Sequence, residues 1–255
     1  MSRFTLFLAC CFCCVALQAE QSLSACEGLQ RRVHAPLFAT PLVSPWGYWS
    51  ENQRPAGMLY DVSIELARVT GVSYFNQMQP YTRTVHSLKS GQADFSMIQG
   101  GKGSYEGLTW IDTLVETEIF MVGRKEMPRF SNLGDLDGQL VGHIRASRYG
   151  KAFDEAPNFK RVSIPELKQG LAMLMAGRID VMTSADITLY QTMKEMQLDG
   201  RHLKRLLTVN RIGVSMFVSN RSTHQDLVPC YRQALESLHA SGHLRRIFYV
   251  DEIAL

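Results

Sequence analysis

Two stretches of this chain carry the same rhythm, and a repeat of that kind leaves few folds open. Residues 57–95 run GMLYDVSIELARVTG, a short extended segment, and then PYTRTVHSLKSGQADF. Residues 133–191 run LGDLDGQLVGHIRASRYGKAF and then ELKQGLAMLMAGRIDVMTSADITLYQ. Each contains a helical pattern, a glycine and an aspartate that lead into an apolar strand: LKSGQADF at 88–95 and LMAGRIDVM at 174–182. The pair predicts two similar α/β lobes. Two lobes make a cleft that can close on a small molecule.

The start of the chain reads as an export leader. Arg3 supplies a positive end, and Phe4 to Leu17 is almost wholly apolar. That is the length of a secretory leader's core and too short to span a bilayer. Ala19 fits the position before the cut, so residues 1–19 are expected to be removed as a signal peptide. Leu23-Ser24-Ala25-Cys26 offers an alternative, a lipoprotein-type processing box that would lipidate Cys26. No other apolar run reaches the roughly 18 residues of a spanning helix, so the mature chain is expected to be soluble and periplasmic.

Cys10, Cys11, Cys13 and Cys14 leave with the leader, and Cys26 and Cys230 remain. Two cysteines in an exported protein predict one disulfide, tying the first mature residues to the C-terminal helix. Two free thiols are the alternative. No Cys/His cluster has the spacing of a metal site. The net charge of +3 is unclustered, with no basic block or interleaved aromatic stripe for nucleic acid.

Strands and helices alternate along the chain. Val33–Thr40 reads as a first strand and 41–55 as a long loop. Val62, Leu66 and Val69 fall at i, i+4 and i+7 of a helix over 60–69 that Gly71 stops. A strand over 72–78, a helix over 82–89 opened by Thr82, and a strand over 95–98 follow. Further strands are expected at 119–123, 139–144, 161–164, 179–183 and 214–218. Further helices are expected at 147–153, 166–175, 187–196, 227–240 and 244–249. Strands alternating with helical segments predict α/β lobes with mainly parallel sheets.

GMLYDVSIELARVTG, PYTRTVHSLKSGQADF, LGDLDGQLVGHIRAS, LMAGRIDVM and ALESLHASGHLRRIF occur in that order. Together they resemble family 3 periplasmic solute-binding proteins, the receptors of polar amino-acid ABC transporters, over nearly the whole mature chain. The resemblance implies a Venus-flytrap fold, with lobe 1 at 26–120 plus 212–255, lobe 2 at 121–211, and two strands crossing between them. It also implies capture of an amino acid or related polar solute for an inner-membrane permease. No cofactor is expected, and such receptors are usually monomers.

Ligands of open α/β sheets sit at the carboxyl ends of strands, near helix N-termini. Four places offer groups there. Trp46 and Tyr48, with Trp49, lie after the first strand, where aromatic faces can stack on a solute or pack under the lobe. Tyr81 and Arg83 open a helix. Arg83 opposes the helix dipole there, as a cation serving a ligand or a carboxylate such as Asp61 would. The resemblance places Tyr81 at a position that is usually aromatic and faces the cleft. Ser147, between Arg145 and Arg148, reads as a helix cap whose free N–H groups would take an anion. The resemblance implies a ligand carboxylate there. Asp186 matches, one residue displaced, the carboxylate that binds the ligand's α-ammonium in the family, or else caps the helix after it. Gln99 and Gly100, at the turn after the buried strand, complete the candidate set.

One departure matters. The family stretch that grips the ligand carboxylate with an arginine corresponds to residues 100–107, GGKGSYEG, which hold Lys102 and no arginine. A lysine lacks the bidentate fork. The charge would then come from Arg83, Arg145 or Arg148, or the solute is not an amino acid. A sensor domain feeding a membrane signalling protein is a second reading. An enzyme is a third, with His86, His143 and Glu106 as candidates, but they form no recognisable catalytic constellation and no catalytic residues are assigned.

Overall fold

The computed structural model describes residues 23–31, 34–145, 147–249 and 255. The expected signal peptide lies outside them. The chain enters through strand β1 (Leu37–Pro41) and a two-residue hairpin, β2 (Tyr48–Trp49) and β3 (Pro55–Ala56). Helix α1 (Met58–Thr70), β4 (Phe75–Gln79), α2 (Tyr81–Ser90) and β5 (Phe95–Gln99) complete a first α/β layer. A long strand, β6 (Leu108–Arg124), leads to β7 (Leu140–Ile144), α3 (Lys151–Asp154), β8 (Lys160–Ile164), α4 (Leu167–Met175), β9 (Val181–Ala185) and α5 (Asp186–Glu195). A second long strand, β10 (Leu203–Ser219), returns to α6 (Val228–Ala240) and α7 (His243–Ile247).

The two repeats do the same physical work. Each ends in a left-handed glycine that stops its helix, Gly91 at φ 80° and Gly177 at φ 68°, a conformation open to glycine at little steric cost. Each then presents an aspartate to the strand beside it. Asp94 Oδ2 accepts the N–H of Leu37 at 2.8 Å, and Asp180 Oδ2 accepts that of Leu140 at 2.9 Å. Both residues open the strand next to their own aspartate. The aspartate backbone N–H groups return the bond to the carbonyls of Leu37 and Leu140. The motif is therefore a clamp that registers one parallel strand on another, once per lobe.

The strands form one eight-stranded sheet in the order β4-β1-β5-β10-β6-β9-β7-β8. The pairs β1–β4, β1–β5, β7–β8 and β7–β9 are parallel. The pairs of β10 with β5 and β6, and of β6 with β9, are antiparallel. The sheet is thus mixed where mainly parallel sheets are expected, because β6 and β10 are shared by both lobes. Each is 17 residues long, while sequence pattern shows only their apolar ends, 119–123 and 214–218. The remaining halves carry Thr109, Asp112, Thr113 and Glu116, or Lys204, Arg205, Asn210 and Arg211. Their alternation leaves one face wet and gives no apolar run.

Each lobe has its own core. Lobe 1 packs Phe38, Phe95 and Tyr231 ring against ring at 5.0–5.7 Å. Lobe 2 packs Leu167, Leu171 and Leu174 of α4 against Ile164 and Met182. Cys26 and Cys230 are joined by a disulfide. This is the pairing expected of the two cysteines that follow the leader, and the free-thiol alternative is corrected.

Three local expectations are corrected. The 41–55 loop contains the β2 strand and a Val43–Gly47 bridge. Helix α2 starts at Tyr81 after Pro80, with no side-chain cap, so Thr82 does not open it. Ser147 caps no helix. Tyr149 is drawn into the core, its hydroxyl accepting the Ile144 N–H at 3.1 Å, and α3 begins only at Lys151 after Gly150.

Candidate functional site

The carboxyl ends of the parallel strands of both lobes meet at one cleft, where open α/β sheets bind their ligands. The cleft holds about 630 Å³, within the range of small-molecule sites. Lobe 1 contributes Val43, the hairpin residues Tyr48 and Trp49, and Pro80-Tyr81-Thr82. Lobe 2 contributes Ile144, Arg145 and Ser147 after β7, the start of α4, and Thr188, Thr192 and Glu195 of α5. Tyr48 and Trp49 are 42% and 47% exposed, so aromatic faces are presented to the cleft.

Below this space lies a cavity of only about 70 Å³, bounded by Trp46, Leu59, Gln99 and Tyr81 of lobe 1 and by Ser147, Ala185 and Thr188 of lobe 2. Trp46 is 7% exposed. Its ring lies 6.0 Å from that of Phe248, and its indole N–H donates to Thr188 Oγ1 across the cleft at 2.9 Å. The indole is engaged by its own chain.

Tyr81 and Tyr105 share a hydroxyl contact of 3.3 Å, and the Tyr105 hydroxyl donates to the Gln99 carbonyl at 2.7 Å. Burial, and next the neighbouring Tyr105, push the Tyr81 phenol well above its ordinary value, with Arg148 of lobe 2 pulling it back. Burial likewise raises Tyr105, against the pull of Tyr81 and Arg148. Both phenols are therefore neutral near pH 7.

Charge in the cleft is concentrated on lobe 2. Lys168 Nζ bridges Glu195 Oε2 at 2.8 Å, with Glu166 as a further charged neighbour. Among the described residues, the Arg145 guanidinium makes no ion pair, so it is an exposed cation facing the cleft beside the Ser147 hydroxyl.

Of the sequence candidates, the structure brings Trp46, Tyr48, Tyr81, Gln99, Arg145 and Ser147 to these two spaces. Arg83, Gly100, Arg148 and Asp186 lie outside both, as does Lys102. Arg83 is exposed on α2 and pairs with no carboxylate among the described residues, Asp61 included. Gly100 is buried, with its N–H on the Gly213 carbonyl and its own carbonyl accepting the Ser215 hydroxyl at 2.6 Å. Arg148 and Lys102 are both exposed, Lys102 on its loop. Asp186 turns to the hinge strands. Its carboxylate accepts the Ile187 N–H at 2.6 Å and the Glu118 N–H at 3.2 Å. Burial pushes its carboxyl up, and those two bonds pull it back.

Sequence reasoning missed Thr188, Tyr105 and the Lys168–Glu195 pair. Their roles come from contacts between distant segments, and no local pattern marks them. The same holds for the hinge pair, Arg205 Nη2 to Glu118 Oε1 at 2.6 Å. The enzyme candidates stay apart. His86 and Glu106 are exposed, and burial lowers the pKa of a half-buried His143. Among the described residues no group of three His, Cys, Asp or Glu could hold a metal. No helix among them is long and apolar enough to cross a membrane.

No family model and no curated protein matches the chain. Solved structures do. A histidine kinase sensor domain with similarity to periplasmic binding proteins matches with TM-score 0.68 and 18% identity over 85% of this chain and 95% of that one. A mutant of ArgBP from T. maritima matches with TM-score 0.68 and 18% identity over 88% and 96%. The GluR0 ligand-binding core in complex with L-glutamate matches with TM-score 0.69 and 16% identity over 84% and 96%. At these identities the likeness shows the fold: two α/β lobes of the periplasmic-binding-protein type.

Proposed function

We propose that this chain is a periplasmic solute receptor that captures a small polar solute, an amino acid or related compound, between its lobes and presents it to an inner-membrane ABC permease. The observation that carries the reading is the cleft of about 630 Å³ at the strand ends of two lobes linked by β6 and β10. With lobe boundaries at 120/121 and 211/212, inside those strands, the lobes can hinge and bury a solute. Tyr48 and Tyr81 would stack on it, and Arg145 with Ser147 would take an anionic group. The leader at 1–19 would deliver the chain to the periplasm, where it would work as a monomer. The solved structures that the chain resembles are mainly binding proteins, which supports a receptor over an enzyme.

A second reading, a sensor feeding a membrane signalling partner, is favoured by the likeness to a histidine kinase sensor domain. Both readings require a solute. A thermal-shift screen of the mature protein against amino acids, opines, polyamines and small organic acids tests them. A solute at about 100 times its Kd adds roughly 2.7 kcal/mol, a rise of several degrees in Tm. A saturable hit is the expected result; a well-folded protein that responds to none of the panel contradicts the polar-solute reading. Co-purification with a permease, against co-purification with a kinase, then separates transport from signalling.

A further inference from the structure

The floor of the cleft is held together by protein atoms from both lobes. Trp46 is a large aromatic brought by lobe 1 to the meeting point of the strand ends, and it is almost fully buried. The core cluster that holds Trp46 and Leu59 also takes in Ile187, a residue of α5 in lobe 2. The hydrophobic contact of lobe 1 therefore runs on into the opposite lobe. The single polar atom of the indole is satisfied across the same gap by Thr188 at 2.9 Å. A buried indole N–H needs such a partner, and here the partner lies on the other lobe.

We infer that Trp46 is a built-in occupant of the cleft floor. It favours the closed arrangement through protein contacts alone and restricts an incoming solute to the outer space. The cavity sizes agree with this assignment. About 70 Å³ at the floor is well below the few hundred Å³ of a small-molecule site, while the outer cleft of about 630 Å³ lies within that range. Opening the lobes strips the indole N–H of its partner and exposes its apolar face, so the closed state is favoured before a solute adds its own contacts. This goes beyond the receptor reading, because it concerns the chain without a solute.

The test uses the mature chain with its disulfide intact, refolded from denaturant to remove any bound molecule. Spin labels at Glu51→Cys and Gln169→Cys, exposed positions beside opposite walls of the cleft, report the interlobe distance by electron double resonance. The expected result is one short distance without any solute. Trp46→Phe keeps a ring but loses the N–H, and Thr188→Val keeps the shape but loses the acceptor. Each should raise the open population about fivefold, the weight of one net hydrogen bond. The double variant should open no further than either single one, because both remove the same bond. A long distance in the unsubstituted chain, an unchanged distribution in both variants, or fully additive opening would overturn the inference. If Trp46→Phe fails to fold, Thr188→Val at a half-buried position carries the test alone. A blank solute screen would sink the receptor reading and leave this result intact.

Discussion

Reducing the Cys26–Cys230 disulfide should be the most costly single covalent change to this fold. The bond spans 204 residues, so in the unfolded chain it closes nearly the whole molecule into one loop. The chain-entropy relation gives about 5 kcal/mol for a loop of that size, an upper value because native strain and residual unfolded structure reduce the measured effect. For a chain of this length each kcal/mol moves Tm by about 2–4 °C, so full reduction should lower it by about 10–20 °C. Among the described residues the side-chain hydrogen bonds from that corner to α6 are Ala25 N–H to Gln233 Oε1 at 3.0 Å and Gln233 Nε2 to Ser24 Oγ at 3.5 Å. The assay is urea unfolding followed by fluorescence, with and without excess reductant. Reduction keeps both sulfurs, so core volume is nearly unchanged, and it frees the unfolded chain to expand. The midpoint should fall and the m value should rise. A midpoint that shifts by less than the equivalent of about 1 kcal/mol would refute the loop-closure reasoning. So would alkylation of Cys26 in the unreduced protein.

Three further outcomes are expected. Leu171→Ala, at a fully buried position of α4, should cost about 2–5 kcal/mol in denaturant unfolding, and a loss below 1 would show that lobe 2 repacks freely. Arg205→Ala removes the Glu118 pair and the guanidinium stacked 4.7 Å over the Phe120 ring. It should cost about 1 kcal/mol or less, an effect that shrinks in high salt, as for partly exposed pairs, and a salt-independent loss would assign the effect to packing. His143 has its pKa lowered, by burial first, so its neutral form is favoured by folding. Its contribution is intact above the ordinary histidine value of about 6.5 and is lost as pH falls through that value toward the lower folded one. His143→Gln should flatten the fall in stability between about pH 7 and 5, and an unchanged slope would place the proton uptake elsewhere.

The lobes were legible because the signal is local. Helix, glycine, two residues and aspartate lie within one supersecondary unit, and Asp94 and Asp180 act on strands within that unit's own lobe. The site was legible in part, for the same reason. Tyr81, Arg145 and Ser147 sit just after strands and reach the cleft through position alone. Three features needed the three-dimensional fold. The shared strands β6 and β10 are polar and alternating over half their length and gain their identity by pairing with each other. Ser147 looks like a cap, but Tyr149 two residues later is pulled into the core and delays the helix. Trp46 reads as a loop aromatic free to stack on a solute, and only a partner 142 residues away, Thr188, reveals that it is already engaged.

Titration of a screened solute into the protein and into its Arg145→Ala and Tyr81→Phe variants bears most directly on the cleft as the binding site. One molecule per chain should bind, and the loss of the only unpaired cation lining the cleft among the described residues should weaken an anionic solute at least tenfold, about 1.4 kcal/mol. Tyr81→Phe keeps the stacking face and should change affinity by less. Unchanged affinity in Arg145→Ala for an anionic solute, with the same single stoichiometry, would place the solute outside this cleft and contradict the interlobe receptor.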